Sequence, residues 1–334
     1  MSIFTEDKLA ALFTTFGKMR ALVIGDVMVD AYLWGQVDRI SPEAPVPVVA
    51  VSRRSSHLGG AANVALNLQS LGANTVLCAV TGQDPRGNEL LELMQSQHLD
   101  TSGILPCRER ITTTKFRIFG NRTQMLRVDE ETTDELSDHD AKAFMEMLHQ
   151  KLSNESWDVI IFQDYDKGLI SESLIANVTD LAREKGIPVA VDPKRRHFTS
   201  YRNVQLFKPN LKELCEGLNM GMPGLEKDQL YQAVNTLHQA QSVDTVLVTL
   251  SQEGVYVSHR GDGVLIPAHI RNVADVSGAG DTVISVAALG LAAGCTPPEF
   301  AAMGNLAGGL VCEEVGVVPV NKEKLLKELL RKLC

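Results

Sequence analysis

The feature that most constrains this chain is a short apolar run that recurs along it and gives way to polar residues. Four such runs cover residues 21–24, 159–162, 189–191 and 245–249. Amphipathic helical stretches lie between some of them, at residues 172–185 and 227–239. Short apolar runs are typical of strands buried on both faces, and strands that alternate with helices form parallel sheets. The sequence therefore predicts an α/β fold with a mostly parallel central sheet and helices on both faces.

Polar residues follow these runs, and their position predicts where a ligand binds. Gly25-Asp26, Gln163-Asp164 and Asp192-Pro193 each come at the end of an apolar run. The carboxyl ends of parallel strands meet at one edge of the sheet, where ligands of α/β proteins bind. We therefore expect the functional site at this edge.

Two segments interrupt the alternation and predict a second, smaller sheet. Residues 31–54 contain three prolines and a valine-rich stretch, and residues 111–128 contain two β-prone runs around Gly120-Asn121-Arg122, which is typical of a hairpin. We expect a small β subdomain inserted into the core, over about 31–57 and 109–128, and interpret it as a lid. The alternative is an edge sheet without a function of its own.

Charge and hydrophobicity exclude several classes of protein. Acidic residues outnumber basic residues by 41 to 32 in the 334-residue chain, and the net charge of −9 argues against a nucleic-acid partner. The most apolar stretch, 283–293, is too short to span a bilayer, and the acidic first sixteen residues do not resemble a signal peptide. We expect a cytoplasmic protein with no membrane partner.

The sharpest local motif is Asp275-Val-Ser277-Gly278-Ala279-Gly280-Asp281, followed by an apolar helical run. Glycines let the backbone approach a ligand, and the free N–H groups at a helix start bind anions. A carboxylate beside that anion site can take a proton from an attacking hydroxyl group, which is the arrangement that phosphoryl transfer needs. Taken alone, the motif is explained equally well by a helix N-cap in a tight turn.

Two further motifs admit a functional and a structural interpretation. Asn210 and Glu213, three residues apart at a helix start, could form a capping box or hold Mg²⁺ through water molecules. Gly59 and Gly60 precede a small-residue helix that carries Asn63, which could bind a sugar hydroxyl group. The alternative for this second motif is close packing of the helix against the sheet.

Together these motifs resemble a known family. Four of them occur in one order: Gly25-Asp26 with Asp30, Gly59-Gly60-Ala-Ala-Asn63, Pro209-Asn210-x-x-Glu213 and Gly278-Ala-Gly-Asp281. Their order and spacing resemble the PfkB/ribokinase family of sugar kinases over roughly residues 20–320. The resemblance implies a ribokinase-like fold, with one kinase domain over residues 1–334 that includes the lid.

Within that family the chain is most similar to kinases of D-glycero-β-D-manno-heptose 7-phosphate. The residues that carry this similarity include 39–48, Asp164-Tyr165-x-Lys167-Gly168 and Val191-Asp-Pro-Lys194. The resemblance implies transfer of the ATP γ-phosphoryl group to O1, giving the 1,7-bisphosphate used for ADP-heptose and lipopolysaccharide core precursors. The alternatives are another sugar or sugar phosphate, such as ribose or fructose, and a non-catalytic sugar or nucleotide sensor on the same fold.

The resemblance also implies roles for individual residues. Asp281 would act as the catalytic base, with an anion hole formed by Gly278, Ala279 and Gly280. Residues expected to hold the sugar are Asp30, Gly59, Gly60 and Asn63. Residues expected near ATP are Asn210, Glu213 (also at Mg²⁺, through water), Thr249, Ser251, Gly254 and Asn305. A monovalent cation, K⁺, is implied at Asp275 and Ser277.

The phosphate that this substrate already carries needs a cationic partner. The candidates by position are Lys115, Arg117, Arg127, Lys167 and Lys194. We favour Lys194 and Arg127, because each closes a predicted strand on the ligand side. Each candidate could instead be a solvated surface charge.

Two expectations concern the whole chain. Bifunctional relatives carry a nucleotidyltransferase domain with a His-x-Gly-His signature, and because this sequence lacks that signature we expect a kinase domain alone. The alternative is a piece of a longer bifunctional protein, which would have the same sequence. The edge strands of the small sheet favour a homodimer formed through the lid.

Overall fold

The computed structural model describes residues 3–221 and 227–334. In that part of the chain the strands are β1 (Arg20–Gly25), β2 (Val27–Ile40), β3 (Pro47–Gly60), β4 (Asn74–Gly82), β5 (Ile104–Cys107), β6 (Thr114–Gly120), β7 (Thr123–Glu130), β8 (Val159–Gln163), β9 (Val189–Asp192), β10 (Leu206–Phe207), β11 (Thr245–Thr249), β12 (Val255–His259) and β13 (Asp262–Ile266). The helices are α1 (Glu6–Phe16), α2 (Ala61–Ser70), α3 (Pro85–Ser96), α4 (Asp138–Asn154), α5 (Glu172–Lys185), α6 (Leu211–Gly217), α7 (Lys227–Gln241), α8 (Ala279–Ala292), α9 (Pro297–Val311) and α10 (Lys322–Leu333).

The central sheet has nine strands in the order β13-β12-β11-β10-β9-β8-β1-β4-β5. All neighbouring pairs from β11 to β5 are parallel, and only β12 and β13 add in antiparallel fashion at one edge. The predicted α/β class with a mostly parallel sheet is thus confirmed. Strand β1 pairs with β4 on one side and with β8, which comes later in the chain, on the other side. The strand order therefore reverses at β1. Ligands bind at such a switch point, at the carboxyl ends of the strands.

Helix α8 is held against this switch point by close packing. It lies between α2 and α9 and contacts β8 and β9. Residues 281–290 are all buried, so the helix has no solvent-facing side along this stretch. A Cβ atom on Gly290 would lie 2.6 Å from Cβ of Phe300, so glycine lets α9 approach closely. The helix ends just before Gly294, whose φ of +75° is the left-handed conformation with which helices commonly end.

A separate four-stranded sheet has the order β3-β2-β6-β7. The predicted hairpin is present, with Asn121 and Arg122 at φ angles of +52° and +67° between β6 and β7. The expected bounds of 31–57 and 109–128 were inaccurate, because the strands cover 27–60 and 114–130. The reason is that β2 and β3 stay paired from Ile40 and Pro47 down to Val27 and Gly60, so the ladder reaches the core sheet.

None of the helices in the described part of the chain combines the length and the hydrophobicity that a membrane span needs.

Candidate active site

Asp281 lies in the first turn of α8, at the switch point of the sheet, and only 4% of its surface is exposed. Gly278 forms the N-cap with a φ of +80°, a left-handed conformation that glycine adopts without a steric penalty. The first turn of a helix leaves its backbone N–H groups without intrahelical acceptors. The start of α8 thus brings Gly278, Ala279 and Gly280 beside the Asp281 carboxylate, and the anion hole stays a prediction.

Three side chains from distant parts of the chain donate hydrogen bonds to the Asp281 carboxylate. Nδ2 of Asn63 donates to Oδ2 at 2.7 Å. The Tyr165 hydroxyl group donates to Oδ1 at 2.7 Å, and Nε2 of Gln163 donates to the same oxygen at 3.2 Å. Asn63, expected on the sugar, is fully buried and binds the carboxylate. Its contact with a sugar stays a prediction.

The pKa of Asp281 is raised to about 6, chiefly because the side chain is buried. The hydrogen bonds from Asn63 and Tyr165 oppose this rise, the Asp192 carboxylate adds to it, and the Lys208 ammonium group opposes it. A carboxylate with a pKa near neutrality is largely ionised at pH 7 and is still a useful proton acceptor.

A buried ion pair lies beside the start of α8. Nζ of Lys208, after β10, is 2.9 Å from Oδ2 of Asp192, at the end of β9, and both side chains are at most 5% exposed. Nε2 of Gln163 also donates to Oδ2 of Asp192, at 3.1 Å. A Cβ atom on Gly280 would lie 3.6 Å from the Lys208 ammonium group, which places this charge against the glycine turn.

Asn210 and Glu213 form the capping box of α6. The Asn210 side chain accepts from the Glu213 N–H group, and the Glu213 carboxylate accepts from the Asn210 N–H group, each at 2.8 Å. The other Glu213 oxygen binds the Lys194 ammonium group. The structural interpretation is therefore confirmed, and the magnesium interpretation stays a prediction. Among the described residues, no cluster of three or more histidine, cysteine or acidic side chains could hold a metal ion.

The expected sugar-binding residues come together where the small sheet meets the core. Asp30 is buried and forms an ion pair with Arg117. Any side chain on Gly59 would collide with the Asp30 carboxylate. Gly60, at a φ of +62°, is the N-cap of α2 and so links the β3 end to the helix that carries Asn63.

The residues expected near the nucleotide lie at the end of β11 and beyond. Thr249 forms a β-bridge with Asn210, so these two members of the set are adjacent. Ser251 and Gly254 form the following turn, with φ angles of +56° and +97°. Asn305 donates to the carbonyl oxygen of Pro267 at 2.9 Å and so binds the segment after β13.

Asp275 and Ser277, the expected K⁺ residues, form a local turn. Oδ1 of Asp275 accepts from the N–H group of Ser277 at 2.9 Å and from its hydroxyl group at 2.8 Å, and Oδ2 accepts from the Gly316 N–H group. Burial alone would raise the pKa of Asp275, but these hydrogen bonds hold it below its ordinary value. The cation role stays a prediction.

We expected Arg127 and Lys194 each to close a strand on the ligand side. This is wrong for Arg127 and only approximately right for Lys194. Arg127 lies in the middle of β7, because pairing with β6 continues to Glu130. Its side chain is 54% exposed and lies 2.9 Å from Asp129. Lys194 lies two residues beyond β9 and binds Glu213, on the expected nucleotide side.

Four residues that surround Asp281 were not predicted to have a role: Gln163, Tyr165, Asp192 and Lys208. The available signal was their position, since Gln163 and Asp192 end apolar runs and Lys208 directly precedes Pro209-Asn210. Polar residues at the carboxyl ends of parallel strands are site candidates.

Residues 18–324 match the model of the pfkB family carbohydrate kinases. The chain is 41% identical over 327 residues to the bifunctional protein HldE of Magnetococcus marinus, covering 96% of this chain and 66% of that protein. It is 37% identical to the bifunctional protein HldE of Geobacter sulfurreducens, covering 96% of this chain and 64% of that protein. The chain thus spans about two thirds of the length of these relatives.

Solved structures share the fold. Phosphofructokinase-2 from Escherichia coli in complex with potassium superposes with a TM-score of 0.77 at 17% identity, covering 93% of this chain and 99% of that one. Ribokinase from Arabidopsis thaliana, complexed with ribose and ATP, gives a TM-score of 0.71 at 19% identity, covering 94% and 99%. The predicted ribokinase-like fold is confirmed.

Proposed function

The chain belongs to the pfkB family of carbohydrate kinases, and we propose that it transfers the γ-phosphoryl group of ATP to O1 of D-glycero-β-D-manno-heptose 7-phosphate. The product would be the 1,7-bisphosphate, a precursor of ADP-heptose and the lipopolysaccharide core. The observation that carries the phosphoryl-transfer proposal is the buried Asp281 carboxylate at the N-terminus of α8. The choice of heptose is supported by the motif resemblance and by the relatives named HldE.

In the proposed reaction Asp281 takes the proton of the O1 hydroxyl group. The O1–H bond breaks as O1 attacks the γ-phosphorus atom, and the bond from that phosphorus to the bridging oxygen of ADP breaks. We expect the N–H groups of residues 278–280, at the N-terminus of α8, to act as donors to the negative charge on the transferred group. The Lys208 ammonium group adds positive charge beside the same turn.

We propose that a magnesium ion that arrives with ATP contacts Glu213 through water. Both Glu213 oxygens already have protein partners, Lys194 and the Asn210 N–H group, so a contact through water is the arrangement that leaves them in place. Mg²⁺ keeps several waters and prefers oxygen ligands. Bound there, it would neutralise phosphate charge. For K⁺, we retain Asp275 and Ser277, since Asp275 stays ionised at neutral pH.

The contacts favour Lys115 as the partner of the sugar's own phosphate. Among the described residues, no carboxylate lies within ion-pair distance of the Lys115 ammonium group, whereas Arg117 binds Asp30 and Lys167 binds Glu131. The half-buried Lys115 stands opposite Asp30 in the ladder of β2 and β6. A partly desolvated ammonium group without an anion in contact is unfavourable, and a bound phosphate would supply that contact.

We propose that the small sheet acts as a lid and as a dimer interface. Its outer strand β7 exposes Leu126 and Val128, at 53% and 44%, on one face of an edge strand. Exposed apolar residues on an edge strand favour association with a second copy. Sedimentation analysis should give the mass of a dimer, and a monomer at all concentrations would reject this interface.

We also place the protein in the cytoplasm, where its six free cysteines would stay reduced.

The test of the proposed function is ADP release from ATP with a panel of acceptors. Heptose 7-phosphate should give turnover well above ribose, fructose and their phosphates. Turnover with one of those sugars instead would keep the kinase and reject the heptose. If no acceptor supports ADP release, the sensor on the same fold is favoured.

A further inference from the structure

We propose that Tyr165 is a positioning residue, which occupies Oδ1 of Asp281 and leaves Oδ2 to receive the proton of the acceptor hydroxyl group. The inference rests on the proposed kinase function and extends it. It is argued from the hydrogen bonds that the two carboxylate oxygens of Asp281 accept.

An ionised carboxylate offers about four acceptor positions, two on each oxygen. On Asp281, Oδ1 accepts from Tyr165 at 2.7 Å and from Gln163 at 3.2 Å, so both of its positions are filled. Oδ2 accepts from Asn63 alone, at 2.7 Å. The one acceptor position left is on Oδ2, and the hydroxyl group of a substrate has to use it.

Tyr165 is itself held in place from two directions. Its backbone N–H group donates to Oδ2 of Asp26 at 2.9 Å, which ties the residue to the carboxyl end of β1. The ammonium groups of Lys115 and Lys194 lie over its ring, 5.5 and 5.3 Å from the ring centre. Attraction between these cations and the ring face fixes the ring plane, and with it the hydroxyl group.

Tyr165 acts on Asp281 as a hydrogen-bond donor. Burial, together with the nearby carboxylates of Asp281 and Asp192, raises the pKa of Tyr165 well above its ordinary value, so the phenol stays protonated. Other charged groups that act on Asp281 include Asp192, Lys208 and Lys194, and they remain in place when only the phenol oxygen is removed.

The test compares Tyr165→Phe with the wild type by two readouts. A hydrogen bond to the charged form favours ionisation, so losing it raises the pKa of Asp281. The acidic limb of the kcat/KM profile should therefore move to higher pH by roughly one unit. A ¹³C NMR titration of labelled aspartate carboxyl groups in the ligand-free protein should show the same shift at Asp281.

Tyr201→Phe is the matched control, because the Tyr201 hydroxyl group donates to another buried carboxylate, that of Asp164, at 3.0 Å. It should leave both readouts for Asp281 unchanged. If Tyr165→Phe does not fold, Gln163→Met removes the other donor to Oδ1 and should shift the titration in the same direction.

Each outcome separates the inference from the proposed function. A lower kcat with an unmoved acidic limb and an unmoved NMR titration would overturn the positioning role. If the wild type turns over no sugar phosphate, the proposed function fails. The NMR titration still decides whether Tyr165 controls Asp281.

Discussion

At the scale of single residues, Asp281 depends on side chains that are far from it along the chain. Asn63, Gln163 and Tyr165 bind its carboxylate, and they stand 218, 118 and 116 positions away. Asp281 itself could be predicted, because two glycines and an acidic residue before an apolar helix form a local pattern. Its partners could not be assigned, because only strand order and helix packing bring them together.

Replacing Asp281 by asparagine tests its role as base. The change removes the proton acceptor with almost no change in size, so kcat should fall by about 10²–10⁴-fold while ATP still binds. Asp244→Asn is the control. Asp244 directly precedes the amino end of β11, whereas the candidate site lies at the carboxyl ends of the strands. Steady-state kinetics and ATP calorimetry would measure both effects. An Asp281→Asn enzyme that keeps most of its turnover would contradict the assignment.

Replacing Lys115 by methionine tests the site of the sugar's phosphate. The change keeps the unbranched chain as far as the Cε atom and removes the ammonium group with its charge. A hydrogen bond to a charged group contributes about 1.5–3 kcal/mol, so KM for the sugar phosphate should rise roughly 10- to 100-fold, with KM for ATP nearly unchanged. Arg127→Met is the comparison, because Arg127 is more than half exposed. An increase of KM in the Arg127 variant alone would restore the assignment made from the sequence.

At the scale of secondary structure, local signals and long-range pairing differ in what they reveal. The bounds of α5 were predicted to the residue, because its apolar period, its Ser171 N-cap and its Gly186 C-cap are all local. The bounds expected for the small subdomain, in contrast, missed the start of β2 and the end of β3 by several residues. Their extent depends on each other's ladder, which continues to Val27 and Gly60, and no local residue marks that limit.

The start of α8 gives a prediction at this scale. Gly278→Ala places a Cβ atom 2.8 Å from Nδ2 of Asn63 and forces a non-glycine residue to a φ of +80°. Gly294→Ala carries the same conformational cost at a φ of +75°, with no atom within 4 Å. Each variant should lose about 1–2 kcal/mol in the free energy of unfolding.

Only Gly278→Ala should lose kcat as well, because the displaced Asn63 amide is a donor to Asp281. Chemical denaturation and steady-state kinetics on the two variants would separate these effects. Equal kcat in both variants would show that the position of Asn63 does not matter for turnover.

At the scale of the whole molecule, an acidic protein must bind two anions. The net charge of −9 gives no general attraction to phosphates. Individual cations do lie at the site, since Lys115, Lys194 and Lys208 are within reach of Tyr165 or the α8 turn, although Lys194 and Lys208 are paired with Glu213 and Asp192. We infer that a few local cations and a helix N-terminus do the binding.

The small sheet gives a prediction about the shape of the whole molecule. If it closes over the sugar as a lid, the radius of gyration from solution scattering should decrease when heptose 7-phosphate and a non-hydrolysable ATP analogue are added together. The analogue alone provides the control for nucleotide binding. An unchanged radius with both ligands bound would show that the sheet is a fixed edge.

The central claim is that this chain places a second phosphate on the anomeric oxygen of a heptose 7-phosphate. The most direct measurement is ³¹P NMR of the reaction with ATP. The claim predicts a new phosphomonoester signal coupled to the anomeric proton, formed in equal amount to ADP, with the original 7-phosphate signal retained. A product phosphorylated at any other oxygen, or ADP formed with only inorganic phosphate released, would contradict it.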